Sequence, residues 1–283
     1  MTFLTGFLMA LADSVPGVSG GTIAYILKRY ETLFKHINSI LKRDFNKEAL
    51  TFLAKLFCGW IIGLVSAILV ISKVFESHIY QISSLFLGFI IISIVIVFKQ
   101  EREYLQAKSM VFTVIGFLAV ILLVLFQNSE FITLNAANLS LGSYIYIFVV
   151  GFAAICAMLL PGVSGSAVMM IFGVYFLVIN SLHSLFTFDF SAVPVLLALG
   201  LGIVCGAVMA VKTISHLFET KRAHMVHAII GMLLGSIVAI INGPTSIESQ
   251  NLSPLDFSTF SIVFFILGIG LIAILEFGIK QEK

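Results

Sequence analysis

Apolar positions in this chain come in runs rather than in alternation, and the lengths of the runs define two kinds of segment. Residues 51–72, 79–98 and 110–127 are predominantly apolar, as are 193–214, 224–242 and 259–279. At about 1.5 Å per residue, each is long enough for a helix that crosses a hydrocarbon core of roughly 30 Å. The runs at 3–12 and 22–27 are too short to cross. Between them lies Ala12-Asp13-Ser14-Val15-Pro16-Gly17-Val18-Ser19-Gly20-Gly21-Thr22. Proline, glycines and hydroxyl residues in one loop break a helix and leave backbone N–H groups free, so the pattern predicts a re-entrant helical hairpin over 3–27. A polar stretch follows at 28–50 and reads as an amphipathic surface segment. After a linker at 128–142 the plan returns. An apolar run from Ser143, the loop Leu160-Pro161-Gly162-Val163-Ser164-Gly165-Ser166 and a second apolar run to about 180 predict another hairpin over 143–180, followed by the last three spans.

The recurrence extends beyond the loops. Pro16-Gly17-Val18-Ser19-Gly20 matches Pro161-Gly162-Val163-Ser164-Gly165, and Tyr30 matches Tyr175 at the same offset. With a shift of two residues, Gly63, Ile71-Ser72, Phe75-Glu76 and Gly88 align with Gly206, Ile214-Ser215, Phe218-Glu219 and Gly231. The chain therefore reads as two repeats, 1–127 and 143–283, within one integral membrane domain. A hairpin that returns to its own side plus three crossings is an odd count, so the second repeat enters from the opposite face and the repeats are inverted. Charge placement agrees. With 28–50 in the cytoplasm, Lys99, Arg102, Lys108, Lys212, Lys221, Arg222, Lys280 and Lys283 fall on or near that side, and among short loops only Lys73 dissents. The segments 128–142, 180–192 and 243–258 hold no Lys or Arg. Both termini are then cytoplasmic, and the chain is a multi-pass protein of the cell membrane. The run 143–160 is itself nearly long enough to span, which would change the parity.

Composition supports the class. The chain is 60% hydrophobic and 11% charged, with a mean hydropathy of +1.13, against about 25% charged in soluble domains. The fold class is all-α and polytopic. The first residues lack a basic n-region and a cleavage site, so the N-terminus is expected to belong to the mature fold. Cys58, Cys156 and Cys205 lie in apolar runs without CxxC spacing and read as packing residues. No spacing suggests a metal site or a cofactor, and nothing suggests nucleic acid as a partner. His224 and His227 share a helix face beside Lys221 and Arg222 as a headgroup-side cluster, and Glu276 pairs at i,i+4 with Lys280.

The chemistry is concentrated in the two loops. A half-helix that starts at the bilayer midplane offers unpaired N–H groups and the positive end of its dipole, which favours an anion by roughly 0.3–2 kcal/mol. Glycines permit close approach, and Ser19, Thr22, Ser164 and Ser166 supply hydroxyls. Two such loops meeting from opposite faces would cradle one phosphate or carboxylate. The plainer reading is tight packing of small residues, with Ser and Thr capping helices. Asp13 faces Met158 in the alignment and is a candidate carrier of a coupling proton or sodium ion, or else an N-cap for the following half-helix. Ser19 and Ser164 have no His or Lys base nearby in sequence, which disfavours an enzyme.

The two loops, with Tyr30-Glu31 after the first, resemble the bacterial polyprenyl-phosphate transporter family of PopT type, formerly a domain of unknown function, over essentially the whole chain. The resemblance implies a flippase that returns undecaprenyl phosphate from the outer to the cytoplasmic leaflet for cell-wall polymer synthesis, coupled to an ion gradient. It implies substrate contacts along Asp13 to Thr22 and Pro161 to Ser166, and headgroup contacts at Lys28, Arg29 and Glu31. The alternatives are an ion-coupled transporter of a small soluble anion and, less favoured, an intramembrane lipid phosphatase. The chain departs from the family's pattern in a short first half-helix and in Lys28-Arg29 where glycine is common. Nothing in the sequence sets an oligomeric state.

Overall fold

In a computed structural model, residues 1–14, 19–67, 72–126, 139–186, 188–246 and 252–281 are described, and every regular element among them is helical. The first half comprises α1 (Thr2–Asp13), α2 (Gly20–Ile26), α3 (Tyr30–Leu41), α4 (Lys47–Ser66), α5 (Ser72–Gln100) and α6 (Met110–Phe126). The second comprises α7 (Leu141–Met158), α8 (Gly165–Ile171), α9 (Tyr175–Phe186), α10 (Val193–Thr220), α11 (Arg222–Asn242) and α12 (Ile262–Gln281). Their starts follow capping chemistry. Asn46 accepts the Ala49 N–H at 2.7 Å to open α4. Ser140 and Ser143 form a capping box at α7, and Pro194 sits in the first turn of α10. His78, at φ −135°, breaks α5.

Among the described residues six helices are long and apolar enough to cross a membrane: Lys47–Ser66, His78–Gln100, Ala107–Phe126, Leu141–Met158, Phe190–Thr220 and Arg222–Thr245. The chain is thus an all-helical, multi-pass membrane protein. The region expected as a hairpin over 143–180 consists of three helices. α7 is 18 residues long and passes as a span, while α8 and α9 meet at a bend of 108°. The last predicted span, 259–279, corresponds to α12, which begins three residues later than expected, at Ile262. The polar stretch 28–50 contains α3, whose Tyr30, Leu33 and Phe34 are buried.

The first three elements of each half share a plan. α2 and α8 have seven residues each, and α3 and α9 have twelve. Two residues before Tyr30 and Tyr175 the backbone turns left-handed, at Lys28 (φ 54°) and at Gly173 (φ 63°). α1 packs on α4 as α7 packs on α10, while α6 packs on α11 and α5 on α12. All four pairs approach through glycine. A methyl at Gly59 would overlap the Phe3 carbonyl, at Gly202 that of Phe148, at Gly231 that of Thr113 and at Gly268 that of Leu85. Without a hydrophobic force between helices in lipid, such close backbone contact is a main source of attraction. Among the candidate spans α11 is the most enclosed, buried at Ile229, Leu233 and Ile240 among other positions.

Polar contacts define the two ends. Asn38 of α3 donates to the Ser215 hydroxyl of α10 at 2.7 Å, and Arg222 pairs with Glu31 and Glu101, which gathers the basic segments 28–46, 99–109 and 220–224 at one end. At the other end the Tyr80 hydroxyl donates to the Ser253 carbonyl at 3.1 Å.

Candidate functional site

Ser19 opens α2 from an extended backbone (φ −131°, ψ 140°), and its Oγ accepts the Gly21 N–H at 3.1 Å. That hydroxyl also donates to the Leu160 carbonyl in the second loop at 3.2 Å. The Gly162 N–H donates back to Thr22 Oγ1 at 2.9 Å, and the Tyr30 hydroxyl donates to the Leu159 carbonyl at 2.6 Å. Two loops far apart in sequence are therefore joined by hydrogen bonds running both ways. Ser19 and Thr22 are almost fully buried, as are Pro161, Gly162, Val163 and Gly165. In such surroundings each bond also spares a polar group the cost of desolvation without a partner, about 1–3 kcal/mol. Gly162 is required twice, because its φ of 84° is left-handed and a Cβ there would strike Ser236 Oγ of α11.

The two half-helix termini differ. Asp13, at the end of α1, accepts the Gly20 N–H on Oδ1 at 2.7 Å and the Trp60 indole N–H on Oδ2 at 3.4 Å. Two of the amides expected to be bare at α2, those of Gly20 and Gly21, are taken by Asp13 and Ser19. At α8 the N-cap Ser164 makes no side-chain cap bond, and its hydroxyl lies 2.7 Å from that of Ser166. Met158, the counterpart of Asp13, offers no carboxylate. Ser14 turns back on its own helix and donates to the Ala10 carbonyl at 2.8 Å. Val15, Pro16, Gly17 and Val18 lie outside the described residues.

A second constellation lies at the basic end. Arg222, at the start of α11, donates to Glu101 from Nε (3.0 Å) and Nη2 (2.8 Å), and to Glu31 from Nη1 (3.2 Å) and Nη2 (2.8 Å). Its guanidinium stands 5.1 Å from the Tyr104 ring centroid and 5.9 Å from that of Phe218. A cavity of about 330 Å³ opens beside it, lined by Tyr25, Lys28, Tyr30, Glu31, Glu101 and Arg222 with Gln100. Behind Tyr25 and Tyr30 stand Phe34 and Phe218, with ring centroids 4.6–6.3 Å apart across this cluster. The Tyr25 hydroxyl is buried beside the Glu101 carboxylate and makes no hydrogen bond of ordinary length and angle. A wider cavity of about 650 Å³ adjoins, with Lys35, Lys42 and Glu219 on its wall.

Residues 9–254 match the protein-family model VCA0040-like, undecaprenyl phosphate translocase-like. The chain belongs to this family. It is similar to the polyprenyl-phosphate transporter of Staphylococcus aureus, at 31% identity over 272 residues covering 95% of each chain. It is also similar to the polyprenyl-phosphate transporter of Vibrio cholerae, at 28% identity over 283 residues covering 91% of this chain and 87% of that one. No solved structure matches. The family is one of transporters rather than enzymes.

In this translocase-like chain, the expected contacts Lys28 and Glu31 share a cavity with Arg222 and with Glu101, which the sequence did not single out. Lys28 lines the smaller cavity, Arg29 is half-buried, and Glu31 is committed to Arg222. Arg222 was legible as part of the headgroup-side cluster with Lys221, but its partner Glu31 lies most of the chain away, and Glu101 carried no local signal. Trp60 likewise gains meaning only from the approach of α4 to α1. His224 stacks on Phe112 at 4.3 Å, while His227 Nδ1 lies 2.9 Å from the Thr113 hydroxyl, so the two histidines serve different contacts. Glu276 accepts from Gln100 of α5 at 3.4 Å. Among the described residues no group of His, Cys, Asp or Glu is arranged to hold a metal ion.

Proposed function

We propose that this protein carries a polyprenyl phosphate, undecaprenyl phosphate above all, from the outer to the cytoplasmic leaflet of the cell membrane, so that the lipid is reused in cell-wall polymer synthesis. The reading rests on one observation, the hydrogen-bonded meeting of the two glycine-rich loops at Ser19–Leu160 and Gly162–Thr22. A dianionic head cannot cross hydrocarbon unaided, whereas its tail can stay in lipid. Loops that start near one point from two repeats, 1–127 and 143–283, would offer the head one polar site open to each leaflet in turn, the repeats staying inverted where α7 and the bent α8–α9 pair together return to the side they entered. The head would lie against the Pro161 to Ser166 loop, whose half-helix carries no side-chain cap, and against Ser14 to Thr22 of the first loop. Lys28 and Arg29 would receive it at the cytoplasmic end, where both termini lie.

Asp13 would couple transport to a proton or sodium ion. Ionised, it holds the Gly20 amide and repels a phosphate. Neutralised, it is a weaker acceptor, and that amide becomes available to a phosphate oxygen. Hydrolysis fits poorly, because the Ser19 hydroxyl is spent on Gly21 and Leu160 and that of Ser164 is paired with Ser166. The wide cavity at the basic end would also admit a small soluble anion. Binding competition on the purified protein separates the two. Farnesyl monophosphate displacing a labelled prenyl phosphate far better than inorganic phosphate is the expected result. In cells depleted of the protein, a non-permeating headgroup binder should detect undecaprenyl phosphate accumulating on the outer leaflet. An unchanged outer-leaflet level would overturn the reading.

A further inference from the structure

Arg222 is held unequally by its two carboxylates. The Glu101 side chain is 11% exposed and the Glu31 side chain 51%, although both make paired contacts with the same guanidinium. A shielded pair persists, whereas an exposed one is screened and exchangeable. Next to the exposed pair is the cavity of about 330 Å³, into which Tyr25, only 8% exposed, brings a hydroxyl that neighbours the Glu101 carboxylate but makes no hydrogen bond of ordinary length and angle. A buried donor so poorly satisfied can turn to a stronger acceptor that enters the cavity. The formal charges of Arg222, Lys28, Glu31 and Glu101 cancel, so removing Glu31 leaves the site positive.

We propose that the Glu31 carboxylate is a placeholder for a phosphate monoester, which displaces it from the outer edge of the Arg222 fork and takes the Tyr25 hydroxyl and the Lys28 ammonium as further donors. Glu101 keeps the guanidinium in place during the exchange. The planar fork of arginine suits phosphate as it suits carboxylate, and a phosphate dianion is the stronger acceptor of the two. The site adjoins the loop pair, because Tyr30 lines the same cavity and holds the Leu159 carbonyl. It is a second station for the head, and only the naming of a lipid as the source rests on the transport reading above. Glu31 thus becomes a competitor of the headgroup, where the sequence suggested a contact.

The test is equilibrium binding of farnesyl monophosphate and, separately, inorganic phosphate to the full-length protein in nanodiscs, comparing wild type with Glu31→Gln, Tyr25→Phe and Arg222→Lys. Glu31→Gln should tighten binding about 5- to 10-fold, a gain that misfolding cannot produce. Tyr25→Phe, which deletes one hydroxyl, should weaken binding about 3- to 10-fold, and Arg222→Lys by about 10-fold or more. Equal or weaker binding by Glu31→Gln, or wild-type affinity in Tyr25→Phe, overturns the site, even where farnesyl monophosphate still binds the wild type and transport stands. The predicted shifts with inorganic phosphate matching farnesyl monophosphate in affinity uphold the site and overturn the lipid reading. Failure of the wild type to bind either probe overturns both.

Discussion

Asp13 joins three elements, with one oxygen on the Gly20 amide of α2 and the other on the Trp60 indole of α4. Asp13→Ala leaves a buried N–H without its acceptor and should cost about 1–3 kcal/mol, read as a lower thermal midpoint in detergent. Asp13→Asn keeps an oxygen for Gly20 and should cost less, but it removes the ionisable group. Transport by Asp13→Asn should lose its response to external pH, and a normal pH profile in that variant would rule Asp13 out as the coupling residue. Lys28 presents the opposite case, a side chain where the backbone prefers none. Its φ of 54° is the conformation that Gly173 adopts at the matching place in the second half. Lys28→Gly should therefore raise stability by about 1 kcal/mol while weakening phosphate binding, since the cation goes with the strain.

Helix pairs are the unit of cohesion at the next scale. Gly231 lets α11 lie against the Thr113 carbonyl of α6, and Gly59 lets α4 lie against the Phe3 carbonyl of α1. Because the obstructing atoms are backbone, Gly231→Ala and Gly59→Ala should each destabilise by about 1–3 kcal/mol in thermal unfolding. Gly200, which has nothing within 4 Å of a built Cβ, is the control, and Gly200→Ala should be neutral or stabilise by up to about 1 kcal/mol. Ahead of α12, Asp256 accepts from Ser258 and Thr259, and those bonds lower its carboxyl from 3.8 to about 2. This turn's contribution is fully present above the ordinary value and is lost as pH falls through about 2. Hydrogen exchange at Ser258 and Thr259 should be slow at pH 5 and faster at pH 2 once intrinsic rates are removed.

For the whole molecule, the basic segments at one end and the segments without Lys or Arg at the other make topology testable. In a chain whose own Cys58, Cys156 and Cys205 are replaced, a cysteine at exposed Lys108 should react with an impermeant maleimide only from the cytoplasm, and one at exposed Phe257 only from outside. Labelling of both from one side would remove the proposed parity. Amino-acid sequence determined the membrane class, the long apolar helices and the two recurring loops, because hydropathy and helix-breaking composition are local properties. It left open whether the run from Ser143 reaches the length of a span and gave no sign that α9 bends away from α8, since the ends of apolar runs are set by packing as much as by composition. Only the tertiary structure decided that Asp13 holds α2, that Thr22 holds Gly162, and that Arg222 draws Glu31 and Glu101 together. Those partners come from separate helices, and a hydrogen bond or ion pair between distant residues depends on how helices pack, which no local pattern encodes.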